Sequence, residues 1–564
     1  MLADTLLKDG DYKTIREMLG RINRIIPGKR ILAELDSDKE IRYWSCHDLY
    51  EEVMNLGDGM IDAGLSGNHI AIVSENCIHY IVCDITISSG VGVVTPIDAN
   101  APEGLLAQLL DKCDADAVVC DLDHLSKVLT ARERCPRLKT IITHDARAVG
   151  TLFYGDLVKR GKELSTNSVF RRIELDPDAP AKILFTSGTT GANKGVVLTH
   201  TNLAANMVNC MDAIHLYRDN TSMSVLPMHH AMEMNTHIMC RIGCGRLTYI
   251  NGNMRNMLPN LKIFRPDLIT VVPMVVNAFY KNIWATAKKT GKEKKLRKGI
   301  RLNNFLRKFG IDRSRKLFKD IYAQFGGNLG EFVCGGSMLN PVVIKGMRDL
   351  GFRIQNGYGI TECGPLVSIY SETWKEHINV GKPCPQLQAK LVNVDGNGVG
   401  ELCIKGPSVA KGYYNDPEAT AAVFGKDGFF NTGDSARIDR DGRIFLVGRK
   451  KNTIILQNGK NVCPEEVENI LETNLPYADE VAVYQADYKG KETLCAGLYI
   501  SDVTVRSDRD RIAADMKKIN ALLPPYKQIA YVELVCEPYE KTSTKKIKRT
   551  TLPSRCSGDG LIIL

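Results

Sequence analysis

Through the first third of the chain, short apolar runs alternate with segments whose apolar positions recur at helical spacing. The runs His69–Ser74, Gly90–Ile97, Ala117–Cys120 and Thr140–Thr143 have the length of strands rather than helices. Between them, stretches such as Pro102–Cys113 carry helical periodicity. This alternation predicts an α/β fold of layered helices and largely parallel sheets. The strand runs need not alternate polar and apolar residues, because helices on both sheet faces bury both sides of each strand. Further strands are predicted at Leu268–Val272 and Phe332–Cys334.

Near Gly400 the pattern changes to short β segments with turns: ELCIKG, ARIDRDGRIFLVG and NTIILQNG. Asp441-Gly442, flanked by alternating residues, predicts a hairpin. After Pro464 come a helix (EEVENILETN), two strand-like segments and a helix from about Ser507 to Leu523. The expected organisation is a large domain with a β-rich subdomain over 1–448 and a compact α+β domain over 452–564, joined at 449–451.

Composition narrows this picture. At 564 residues the chain exceeds what one hydrophobic core organises, and 25% charged against 44% hydrophobic residues excludes disorder and collagen. The net charge of +9 does not separate a nucleic-acid binder from an enzyme of phosphorylated substrates. The 17 cysteines form no Cys-x-x-Cys pair, and Cys240 and Cys244 lack partners at zinc-finger spacing. They read as reduced, packed thiols of a cytoplasmic protein. The first residues carry acids early and no apolar signal core, and no run of about 18 apolar residues occurs.

Three segments carry chemistry. In Thr186–Lys194, TSGTTGANK, Gly188 and Gly191 allow close backbone approach to a ligand. Thr186, Ser187, Thr189 and Thr190 offer hydroxyl donors to phosphate oxygens, and Lys194 adds a cation. The loop lacks the Gly-Lys-Ser/Thr of a Walker A motif, and a plain turn is its alternative reading. In YGITE, Tyr358–Glu362, the Glu362 carboxylate beside the Thr361 hydroxyl suits Mg²⁺; the alternative is a strand end with a solvated Glu. In FNTGD, the Asp434 carboxylate can accept hydrogen bonds from paired ribose hydroxyls, against the alternative of a turn Asp.

Together these segments resemble the ordered motifs of the adenylate-forming superfamily, closest to acyl-CoA synthetases of the medium- and long-chain fatty acid type. The resemblance runs from TSGTTGANKG through Gly335-Gly336-Ser337, YGITE, FNTGD and GRKKNTIILQNGKNVCPEEVE to KTSTKKIKR at Lys541–Arg549, and so spans nearly the whole chain. It implies an AMP-forming acid–CoA ligase using ATP, Mg²⁺ and CoA. By the same resemblance Glu362 holds Mg²⁺ and Thr361 faces the α-phosphate. Tyr358 and Gly359 lie by adenine, with Gly336 and Ser337 also on the nucleotide side. Asp434 and Arg449 bind ribose or phosphate. Lys546 neutralises the reacting anions, with Lys545 where the family usually has Gly. Lys451 becomes the hinge of a mobile C-terminal domain. His230, Gly335 and Gly336 fall at the acyl pocket, where His230 and Glu233 form an H-x-x-E pattern beside Met228, Met232, Met234 and Met239. Such methionines suit a flexible acyl chain or an ordinary helix core equally. Phe430 stands where the family more often has Tyr, and Asn193 where it has Pro.

The tract Lys281–Lys319 holds 15 Lys or Arg against Glu293 and Asp312, with Trp284, Phe305, Phe309 and Phe318 interleaved. Peripheral membrane contact, a phosphorylated thiol cofactor and a solvated insertion are its competing readings. No nucleic-acid recognition module accompanies it. A carboxylic acid, favoured as a fatty acid, and either CoA or acyl carrier protein are the expected partners. A catalytically silent relative would lack Lys546, Glu362 or Asp434, and all three are present.

Overall fold

The computed structural model describes residues 7, 10–187, 193–213, 220–370, 379–456, 460–541, 547–556 and 560–563. Two eight-stranded sheets form the body. The first runs, in spatial order, Gly412–Tyr413, Asn193–Thr199, Pro180–Ser187, Gly92–Pro96, Asn68–Val73, Ala117–Cys120, Thr140–Thr143 and Leu152–Phe153. It is parallel from Pro180–Ser187 onward and antiparallel at the other edge. The second centres on parallel strands Leu268–Val271, Glu331–Cys334 and Arg353–Gly359, closed by antiparallel Leu366–Tyr370. A third sheet of four antiparallel strands follows: Gln388–Val392, Gly400–Lys405, Phe430–Ile438 and Ile444–Arg449.

The strands at Ala117–Cys120 and Thr140–Thr143 coincide with the expected runs, and both are buried almost throughout because helices cover the sheet. The expected strand Gly90–Ile97 starts later, at Gly92, because Ile87–Val91 is a π-helical turn in which Gly90 takes φ +130°. The helix expected over Pro102–Cys113 occupies Glu103–Lys112, with Pro102 as its N-cap residue. The Asp441-Gly442 turn joins the last two strands of the third sheet, with Gly442 at φ +81° as a tight turn requires.

C-terminal to the third sheet, Val462 through Ile563 build a separate core around Leu471, Val483, Leu498, Ile512 and Val532. Its sheet is Glu480–Tyr488, Lys491–Tyr499, Tyr531–Val535 and Leu561–Ile562, covered by the helices Pro464–Asn474 and Arg509–Asn520. The molecule is thus a large α/β body with a β-rich part and a smaller α+β unit. All 17 cysteines are free thiols, thirteen of them buried. No helix among the described residues is long and apolar enough to cross a membrane.

Candidate active site

The three sheets of the body meet where the motifs do. Thr186 and Lys194 are opposite each other on the antiparallel pair Pro180–Ser187 and Asn193–Thr199. Gly188, Thr189, Thr190 and Gly191 lie outside the described residues, as does Lys546. The strand Gly412–Tyr413 adds to the same edge, placing Tyr413 opposite Val196. The Lys194 ammonium stands 4.8 Å from the centre of the Tyr413 ring, and the Tyr413 hydroxyl donates to Glu362 Oε1 at 2.8 Å. Lys194, Tyr413 and Glu362 therefore form one connected group across two sheets.

Glu362 sits in the 3₁₀ turn Thr361–Cys363, immediately beyond the strand Arg353–Gly359. It is 7% exposed, so the alternative of a solvated strand-end carboxylate does not hold. Burial raises its pKa, opposed by the Tyr413 hydrogen bond and by the charges of Arg449 and Lys194. Gly359 is needed for packing: a Cβ there would lie 2.6 Å from the carbonyl oxygen of Pro365.

Asp434 lies in the strand Phe430–Ile438, directly opposite Arg449 in the hairpin register. Arg449 Nε contacts Asp434 Oδ1 at 2.7 Å, and the Tyr358 hydroxyl donates to Asp434 Oδ2 at 2.6 Å. Asp434 is 6% exposed and belongs to a strand, not to an open turn. Burial first, then the adjacent Asp434 charge, raises the Tyr358 phenol well above its usual range, so Tyr358 remains a donor. Phe430, which replaces a hydroxyl-bearing residue, is 2% exposed and packs its ring 4.8 Å from that of Phe424.

The acyl-side residues are less tightly joined. Gly335 is buried at the end of a parallel strand, whereas Gly336, at φ +88°, and Ser337 are exposed. A Cβ on Gly335 would lie 3.3 Å from the Met232 side chain, so Met232 faces this glycine pair. Met228, Met234 and Met239 are at most 1% exposed and belong to the core. The His230 ring lies against His229, tilted by 51° with ring centres 4.1 Å apart, and burial lowers its pKa. Its H-x-x-E partner is turned elsewhere: Glu233 pairs with His237 Nδ1 at 2.9 Å. His230 precedes the helical segment Met232–Ile238, whereas Glu233 and His237 lie four apart within it and so face each other.

Tyr413 was not among the residues that sequence reasoning marked. Its segment, KGYYNDPEAT, reads only as a Gly-aromatic turn before a helix capped by Asp416. Its partner Glu362 is 51 residues away, and only the fold joins them. Tyr413→Phe is expected to lower kcat/KM by about ten- to a hundredfold, since a hydrogen bond to a charged group is lost. The hydroxyl now holds the Glu362 pKa down, so its removal should move the acid limb of the pH–rate profile to higher pH. An unmoved acid limb would assign that limb to another group.

A two-layered α/β body with a basic loop–carboxylate pair and a buried Asp–Tyr–Arg group defines an adenylate-forming type of enzyme. The chain belongs to the AMP-binding enzyme family, whose model matches residues 26–414. Among curated proteins, human long-chain-fatty-acid–CoA ligase 1 is 27% identical over 512 residues, covering 83% of this chain and 71% of that protein. Among solved structures, an anthranilate CoA ligase bound to anthranoyl-AMP superposes with TM-score 0.75 at 17% identity, covering 95% and 96% of the two chains. The adenylation domain of a carboxylate reductase from Mycobacterium chelonae gives TM-score 0.79 at 20% identity over 97% and 90%.

Proposed function

We propose that this chain is an AMP-forming acid–CoA ligase acting on a long-chain fatty acid. The observation that carries the reading is the meeting of Lys194, Tyr413 and Glu362 with Tyr358, Asp434 and Arg449, which are scattered over 256 residues of sequence and come together at one place. In the first step a carboxylate oxygen attacks the α-phosphorus of ATP. The bond to the bridging oxygen breaks, giving acyl-AMP and pyrophosphate. Asp434 accepts the ribose hydroxyls, with Arg449 holding its carboxylate in place, while Tyr358 lies against adenine. Thr186, Ser187, Gly188, Thr189, Thr190, Gly191 and Lys194 cradle the phosphates, and Thr361 faces the α-phosphate.

A single buried carboxylate at Glu362, with no cluster of three His, Cys, Asp or Glu among the described residues, fits Mg²⁺. That ion normally keeps water and substrate phosphates and takes only one or two protein carboxylates. When bound, it supplies positive charge against the phosphates. In the second step a thiol attacks the acyl carbonyl carbon, the acyl–phosphate C–O bond breaks and AMP leaves. CoA is the favoured thiol and acyl carrier protein the alternative. The long-chain preference rests on the curated relatives and on the apolar Met232 beside Gly335.

The two steps share one site if the C-terminal unit turns at Lys451. The local contacts favour this position: Lys450 Nζ pairs with Glu401 on the third sheet at 2.6 Å, whereas the Asn452 amide donates to Glu465 of the C-terminal unit at 2.5 Å. Side-chain anchorage thus changes sides across Lys451. The test is acid-dependent pyrophosphate release across fatty and aromatic acids, followed by thioester formation with CoA or carrier protein. Wild type should respond most to long-chain acids, and Lys451→Pro should retain pyrophosphate release while losing thioester formation. No response to any acid would overturn the ligase reading, and equal loss of both steps would overturn the hinge.

A further inference from the structure

The basic tract forms a surface that the ligase chemistry does not use. The helix Glu293–Arg307 buries Leu296 and Asn303 against the body, while Leu302, Phe305, Phe309 and Ile311 project outward. Phe305 and Phe309 are 56% and 67% exposed, and their rings meet edge to face at 5.3 Å. Leu302 and Phe305 share one helical face by their spacing, and Phe309 lies in the turn just after the helix. Exposed Lys298, Arg301, Lys308, Arg313 and Lys316 surround them and form no ion pair among the described residues.

This surface is held rigidly. Arg307 pairs with Asp312 at 3.0 Å and donates to the Arg348 carbonyl at 2.7 Å, while Asn304 donates to Asp349 at 2.9 Å. The Asn303 side chain accepts from the Arg313 backbone N–H at 2.9 Å. These bonds fold the segment after the helix back on it, so Phe309 and Ile311 stay beside Phe305. The preceding helix, Pro273–Lys289, starts beside Gly336, where Val272 lies 3.6 Å from the position of a Cβ, and packs against the helix Glu293–Arg307.

We propose that this face docks the enzyme on an anionic lipid bilayer, with Leu302, Phe305, Phe309 and Ile311 entering the headgroup–acyl boundary. Aromatic and aliphatic side chains with a Lys/Arg surround fit that boundary. The exposed cations attract an anionic surface and repel a second copy of the same cationic face. A nucleic-acid backbone would satisfy the cations but leave four large apolar side chains without a partner. Docking here places the acyl-side helix of the ligase near the phase in which a long-chain acid dissolves.

The test is flotation of the full chain with phosphatidylcholine vesicles, with and without phosphatidylserine. Binding is expected only to the anionic vesicles and should be released by salt. Because each basic residue near such a surface contributes roughly a fivefold factor, Lys298→Glu/Arg301→Glu should reduce partitioning by more than about tenfold. Phe305→Ser/Phe309→Ser should reduce it comparably, with an unchanged thermal unfolding midpoint showing that the exposed changes leave the fold intact. Equal binding to neutral and anionic vesicles, or variants that float like wild type, would overturn the proposal. So would loss of acyl carrier protein binding in these variants with vesicle binding unchanged, which would assign the face to a protein. Flotation needs no catalysis, so its failure is distinguishable from failure of the ligase reading.

Discussion

Lys546→Ala is expected to lower acid-dependent pyrophosphate release by about a hundredfold or more, while thioester formation from supplied acyl-AMP is largely kept. The reason is electrostatic. Two anions, a carboxylate and the α-phosphate, must approach to bonding distance, and an ammonium placed between them offsets their repulsion most strongly as charge builds in the transition state; removing one such donor costs on the order of a hundred- to a thousandfold. The described residues on either side of 542–546 are anchored. Lys541 and Ile547 pair antiparallel, Lys541 Nζ contacts Glu480 at 2.5 Å, and Arg549 holds Glu468 at 2.7 Å. Glu480 starts the strand Glu480–Tyr488 and Arg549 also donates to the Val483 carbonyl of that strand at 3.1 Å, so both ends are tied to the C-terminal unit. Lys545→Ala serves as the comparison, since it is expected to retain release. If Lys545→Ala is the damaging change and Lys546→Ala is not, the roles of the two neighbouring lysines are exchanged.

Lys182→Met is expected to cost about 3–5 kcal/mol of folding stability, read as a lower urea midpoint with an unchanged slope. Lys182 and Asp84 are each 1% exposed, and the ammonium contacts both Asp84 oxygens, at 2.7 and 2.9 Å, and Asn235 Oδ1 at 3.0 Å. Removing the cation leaves an uncompensated carboxylate in the core, whereas the double change Lys182→Met/Asp84→Leu should recover most of the loss because both charges are gone. The group also spans the site. Lys182 is on the strand that leads to Thr186, and Asn235 is on the helical turn that carries Met232. Asn206 donates to the Asn235 carbonyl at 3.3 Å and accepts from the Leu366 N–H at 3.0 Å, just beyond Glu362. A rise in KM for ATP should accompany the stability loss in the single variant. If the double variant is no more stable than Lys182→Met, the cost is one of packing rather than of an unpaired charge.

Features that depend on neighbours in sequence were legible before the structure. The strands Ala117–Cys120 and Thr140–Thr143 are apolar runs bounded by polar residues, and the 441–442 turn carries its own glycine. The YGITE and Thr-Gly-Asp motifs marked Glu362, Thr361 and Asp434 as candidates, each against a plain structural alternative, and only the family resemblance joined them as a set. Local reading failed where winding or distance decided the outcome. The π-helical turns at Ile87–Val91 and Met232–Ile238 change side-chain direction without changing residue type. The first shortened a predicted strand; in the second, Glu233 pairs with His237 four residues on, while His230 stays outside the helical segment.

The sequence by itself determined the layered α/β class, the order of the motifs and the residue types available for phosphate, ribose and carboxylate chemistry, because strand runs and motif spacings are local properties of the chain. The tertiary structure decided which of those groups touch. It joined Lys194 to Glu362 through Tyr413, set Asp434 between Tyr358 and Arg449, and left Met232 half-buried beside Gly335 while burying Met228, Met234 and Met239 in the core. Burial turned an unremarked Lys182 into a charge the core must pair, and exposure left Phe305 and Phe309 on a basic surface. These outcomes depend on which side of a sheet or helix packs against a distant element, and that choice is made by the whole core at once.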